Sequence, residues 1–178
     1  LHKEYRRQRQ MCIRDSLIVM CDTVRTIMDK ASQALIQGVL ESAEEALTMT
    51  EELDEIRTRC SERAVKLLAL ENPMAQDLRQ VVSSIYIVED LYRMGRLAQH
   101  IADSARRRHP DPVVPANYMG YFEELYRLTE EMGSVLHNIL VTPDADLSVN
   151  LRADDDAVDD INSHLLHLLT PVSYTHLR

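Results

Sequence analysis

The stretch from Asn72 to Arg108, NPMAQDLRQVVSSIYIVEDLYRMGRLAQHIADSARRR, constrains the fold most. It is a run of roughly ten helical turns with one Gly and no Pro after its start. Asn72 is placed to accept a bond from the first free backbone amides, and Pro73, as the first helical residue, lacks a donor that would be unpaired there anyway. Two apolar stripes climb this helix. One is Val81, Ile85, Val88, Tyr92; the other is Ile87, Leu91, Met94, Ala98, Ile101, Ala105. A surface helix needs a single stripe, so two stripes predict two covering neighbours.

The rest of the chain supplies them. A first helix is expected over Leu17 to Ile36, with Met20, Val24, Ile27, Ala31, Ala34 and Leu35 inward and Gly38 as its stop. Ser42 followed by Glu45 reads as a capping box that opens a second helix, Ala43 to Leu70. The short connection into the 72–108 helix makes those two antiparallel. Three prolines in His109 to Ala116 exclude helix there. A fourth helix then runs from about Tyr118 to Val141. Thr142 as cap and Pro143 as first residue open a fifth, carrying Leu151, Val158, Ile161, Leu165 and Leu168 inward.

Shifting the chain by 105 residues without gaps exposes an internal repeat. Glu51, Leu53, Asp54, Glu55 and Ile56 fall on Asp156, Val158, Asp159, Asp160 and Ile161, and Gly38 falls on Pro143. Helices one and two are thus echoed by helices four and five. The sequence therefore predicts an all-α fold of two tandem antiparallel three-helix-bundle repeats, the last helix of the second missing, so that an apolar groove is left unfilled. MCIRDS (Met11 to Ser16) and VSYTHLR (Val172 to Arg178) break the helical periodicity and resemble translated sequencing-adaptor or assembly scars; a frayed natural terminus is the other reading. The expected organisation is a non-native extension over 1–16, a first repeat over 17–108, a Pro-rich linker over 109–116, an incomplete second repeat over 117–170 and a non-native tail over 171–178.

The net charge of −9 narrows the partners. Five basic and two acidic groups in 1–16 and one Arg in 171–178 leave −13 on residues 17–170. Such a field repels nucleic acid and anionic lipid, so a protein or a cation is the natural partner. No apolar run approaches the roughly 18–20 residues that span a bilayer, and no secretory leader is seen. Three Cys without metal-type spacing suit a reduced intracellular setting rather than a disulfide framework.

Two motifs then carry a resemblance. The "LLAL..P...DLR" junction (Leu67 to Arg79) and the D-L-x-R-M-G core (Asp90 to Gly95), with DDDAVDDI opening the equivalent of helix two, resemble the PhoU family over about residues 17–170. The resemblance implies a non-catalytic cytoplasmic regulator of phosphate uptake and of the phosphate-starvation response. It would link the ATPase of the phosphate ABC transporter to a sensor histidine kinase, and a homodimer is expected. It also implies iron or zinc held by carboxylates at i and i+4. Asp155 and Asp159 match that motif; their first-repeat counterparts are Thr50 and Asp54, so one ligand of the pair is lost. On the third helix Tyr92 and Arg96 stand where the family has ligands, which removes two carboxylates and adds a cation. No cofactor is therefore assigned.

Other residues invite a site and a plainer account alike. Asp156, Asp160, His164 and His167 line one face at metal-like spacing, and a solvated acidic face is the simpler reading. Asp77 and Arg79 stand in the first turns of the third helix, where capping explains them as well as partner binding does. Arg93, Arg96 and Arg106 to Arg108 form a basic flank suited to an acidic partner. A metal-dependent bundle and a self-associating helical scaffold are the alternatives to the regulator. The sequence has no Glu-x-x-His pair of the di-iron type, no nucleophile motif and no Gly-rich phosphate loop.

Overall fold

Gly38 makes the first corner. Its φ of 70° is a conformation open at little cost to a residue without Cβ, and the first helix stops directly before it. The computed structural model describes residues 2–71 and 75–170, and among them the only regular structure is helical. In chain order the helices are α1 (His2–Gln37), α2 (Leu40–Thr48), α3 (Thr50–Glu71), α4 (Ala75–Arg108), α5 (Met119–Val141) and α6 (Ala145–Leu169), with one 3-10 turn at Ala116–Tyr118. Leu1, the expected cap at Asn72 and Pro73, Met74 and the tail 171–178 lie outside the described residues.

Helix α1 begins well before Leu17. Ile13 extends its buried series Leu17, Met20, Val24, Ile27, Ala31, Ala34 by one turn, and the Arg63 guanidinium donates to the Ser16 hydroxyl. The series alternates three- and four-residue steps, the spacing of a helix that faces one partner along its length. Helix α4 answers with Val81, Val88, Leu91, Gly95, Ala98, Ala102 and Ala105. This single seam takes members from both expected stripes and runs between them. Ile87 and Ile101 are half-buried at its side, and Met94 is exposed. The two helices run parallel, since Ile13 and Val81 share one cleft and Ala34 and Ala105 another. Small residues from Gly95 to Ala105 let them approach closely. A Cβ at Gly95 would stand 2.7 Å from Leu53 Cδ2 and 3.3 Å from Val24 Cγ2.

The expected second helix is two. Val39, not Ser42, caps α2, so Ser42 falls in the first turn, where it is buried and its hydroxyl donates to Gln33 Oε1 at 2.9 Å. Glu45 turns instead to Lys30 Nζ, 2.5 Å away. The helix breaks at Met49, flanked by two threonines whose hydroxyls bond back to the carbonyls of Glu45 (2.8 Å) and Leu47 (2.8 Å). Such back-bonding competes with the backbone ladder and bends helices.

The linker after α4 tucks Val114 into the fold. Helix α5 packs on α1, and among the described residues α6 packs on α5 alone. Asp144, rather than Thr142, caps α6: its carboxylate accepts from the Asp146 amide at 2.9 Å, while Thr142 closes α5. With one neighbour instead of two, α6 leaves Val149, Leu166 and Leu169 more than half exposed.

Candidate functional site

The break at Met49 frees the Ala46 carbonyl, and a residue of α4 takes it up. Gln99, buried in the α4 seam, donates from Nε2 to the Ala46 carbonyl at 3.2 Å and to Thr50 Oγ1 at 2.7 Å. Its Oε1 accepts from Arg96 at 3.1 Å. One turn further along α3, Asp54 bonds to Tyr92, which pushes the Tyr92 phenol above its ordinary range together with burial. Arg57 lies 4.4 Å over the Tyr92 ring and grips Glu89 with two bonds of 2.9 and 2.7 Å. Glu89 holds the Arg57 guanidinium above its usual range in return.

Thr50, Asp54, Tyr92 and Arg96, the positions the sequence pairs with metal ligands, therefore do meet, on the α3/α4 face. They meet as two adjacent hydrogen-bonded groups, Thr50–Gln99–Arg96 and Asp54–Tyr92, and the guanidinium groups of Arg57 and Arg96 offset the carboxylates of Asp54 and Glu89. Gln99 escaped the sequence reading because it stands in neither of the two apolar stripes and nothing local marks it as buried. The Arg57–Glu89 pair had none, being 32 residues apart.

The second-repeat carboxylates are placed differently. Asp155 and Asp159 are exposed on α6, Asp54 is on α3, and among the described residues no three Asp, Glu, His or Cys gather as a metal would require. On the neighbouring face His164 Nε2 lies 3.0 Å from the Tyr121 hydroxyl and His167 Nδ1 lies 2.9 Å from the Ser163 carbonyl, so both histidines have local partners.

The basic flank divides. Arg106 and Arg107 pair with Asp103 at 2.8 and 2.7 Å, which keeps that carboxyl below its usual range, and Arg96 is held by Gln99. Arg79 and Arg93 stand exposed. Arg79 borders a cleft of about 640 Å³ formed by Ile13 and Leu17 of α1, Val81 of α4, and Ile139, Leu140 and Pro143 at the end of α5. Asp77 lies in the first turn of α4, with its side chain outside the described ones.

A smaller cleft of about 210 Å³ is lined by Ala34, Leu35, Gly38, Met119 and the linker. The 105-residue shift carries Ala34, Leu35, Gly38 and Arg14 onto Ile139, Leu140, Pro143 and Met119, so the two clefts are repeat-related. The α1–α5 seam has the same symmetry. Arg25 donates to Glu130, 105 positions away, at 2.9 Å. Around this pair Tyr126 donates to Asp29 at 2.7 Å, His137 Nδ1 lies 2.8 Å from Asp22, and the Cys21 thiol faces the Gly133 carbonyl. None of the described helices is long and apolar enough to cross a membrane.

Comparison with known proteins places this geometry. A family model described as the PhoU domain matches residues 17–105. The phosphate-specific transport system accessory protein PhoU homolog 2 of Mycobacterium tuberculosis is 39% identical over 157 residues, 88% of this chain and 74% of that protein. PhoU homolog 1 of Mycobacterium leprae is 38% identical over 162 residues, 91% and 73% of the two chains. The crystal structure of PhoU from Pseudomonas aeruginosa superposes with a TM-score of 0.83 at 22% identity, covering 93% of this chain and 78% of that one, a likeness of fold.

Proposed function

The chain belongs to the PhoU family, and from that membership we propose that it is a negative regulator of phosphate uptake and of the phosphate-starvation response. It acts in the cytoplasm as a homodimer without catalysis of its own, connecting the phosphate ABC transporter to a sensor histidine kinase. The observation that carries the reading is the similarity, over most of this chain, to relatives named as accessory proteins of the phosphate-specific transport system. The network on the α3/α4 face supports the same role. Gln99 joins Thr50 to Arg96, Asp54 bonds to Tyr92 and Arg57 pairs with Glu89, so this surface holds its shape through hydrogen bonds and an ion pair of its own.

Alkaline phosphatase activity in phosphate-replete cells tests the reading. Deleting the gene from cells that carry it is expected to raise that activity, and restoring the gene to lower it again. Unchanged activity in the deletion strain, with no second family member in the genome to substitute, would overturn it.

A further inference from the structure

The outer face of α4 has a pattern that matches its own reverse. Val82, Tyr86, Asp90, Arg93, Leu97 and Ile101 follow one another at steps of four, four, three, four and four residues, which puts them on one side of the helix. Read in either direction the order is apolar, apolar, charged, charged, apolar, apolar, with opposite charges at the centre. Tyr86 is 68% exposed and Leu97 54%, and with Val82 they make a contiguous apolar stripe rather than isolated exposed residues. Asp90 is the only exposed acidic residue among the described side chains of α4. Among the described residues the side chains of Asp90 and Arg93 form no ion pair or hydrogen bond.

We propose that this face of α4 docks antiparallel on the same face of a second copy of the chain, across a two-fold axis that passes between Asp90 and Arg93. In that register Asp90 meets the partner's Arg93 and Arg93 meets the partner's Asp90. Tyr86 and Leu97 cover each other, and Val82 lies against Ile101. A two-fold interface is self-complementary by construction, and a stripe with palindromic spacing and antisymmetric charge has that property built in. The occupant follows from charge. The central acid and base neutralise their opposites only when the second helix is inverted, a local complementarity that this same face of a second copy supplies. Antiparallel alignment also sets the two helix dipoles head to tail.

The proposal rests on the homodimer reading given above and adds where the two copies meet. Sedimentation velocity of the full chain across the micromolar range tests both. The wild type is expected to dimerise. Leu97→Asp should raise the dimer Kd at least about tenfold, the scale for a residue at the centre of an interface. Measured at concentrations where both chains are monomeric, its melting curve should match the wild type's, because Leu97 is solvent-exposed within one copy. Asp90→Arg and Arg93→Asp should each weaken the dimer by bringing like charges together, and Asp90→Arg combined with Arg93→Asp should restore it. Recovery in the double variant requires this register. A wild-type chain that stays monomeric overturns the homodimer reading and this interface with it. A dimer indifferent to Leu97→Asp, or one the double charge swap fails to rescue, overturns the interface alone. A monomer in which Leu97→Asp nevertheless abolishes repression of alkaline phosphatase assigns the α4 face to a different protein and likewise overturns it.

Discussion

In the unit formed by α1 to α4, Met20, Ile27 and Leu53 are sealed from solvent, whereas α5 and α6 bury only Leu128, Leu140 and Leu165 among their described side chains. Leu140 moreover belongs to the core of the first unit. Helices α5 and α6 are no less apolar than α1, α3 and α4, so the difference does not come from composition. It comes from the number of neighbours: among the described residues α1 is covered by α2, α3, α4 and α5, while α6 touches α5 alone. A stripe becomes a core when a third helix closes over it.

The largest contrast should appear when the same truncation is made on both sides. Leu53→Ala is expected to cost about 2–5 kcal/mol in urea unfolding, because a fully buried side chain leaves a cavity. Ile161→Ala on α6, which removes a half-buried side chain, should cost no more than about 1 kcal/mol. Equal losses would break the comparison, and amide exchange that protects α6 as strongly as α1 would do so independently.

Next comes the joint at Met49. Gln99→Leu deprives the Ala46 carbonyl and Thr50 of their partner, and about 1–3 kcal/mol of destabilisation is expected by the same assay. Gly95→Ala should follow at about 1–2 kcal/mol, since the new Cβ collides with Leu53. Gly120→Ala on α5 meets nothing and should be neutral or stabilising by up to about 1 kcal/mol through helix propensity. The two glycines thus test packing in one unit against openness in the other.

The smallest effect lies at the seam between them. Burial first, and then Asp29, push the Tyr126 phenol up to about 12, and burial pushes the Cys21 thiol up to about 11. Both groups hold their protons more tightly folded than unfolded. Their contribution is complete below the unfolded values near 9 and 10, and it falls as pH rises towards 11 and 12. The thermal midpoint should therefore drop across that window, and Tyr126→Phe should flatten the upper part of the drop.

What the sequence disclosed depended on whether a signal was local. Gly38 and the three prolines after Arg108 announce helix ends through backbone chemistry that no tertiary contact overrides, and the helices stop where they stand. The all-α class followed from periodicity in the same way. The break at Met49 was hidden because Thr-Met-Thr contains neither Gly nor Pro. The bend depends on two back-bonding hydroxyls and on Gln99 from a helix some 50 residues away. Ser42 and Glu45 matched a capping box, yet Gln33 and Lys30 claimed both side chains. The candidate site was legible as a set of positions: alignment of the repeats singled out Thr50 and Asp54, and the family resemblance added Tyr92 and Arg96. Its chemistry was not, because Arg57 and Glu89 complete it from positions without a shared motif.

The pairing of Arg25 with Glu130 carries a message about descent. These residues are equivalent positions of the two repeats, and they meet where the repeats face each other. Had two identical, separate chains once met in this way, that position would have confronted its own copy, and a charge there would have been repelled by itself. Only after one gene encoded both halves could the two sites diverge, one to a base and the other to an acid. The contact that now draws the halves together is one that a symmetric ancestor could not have made.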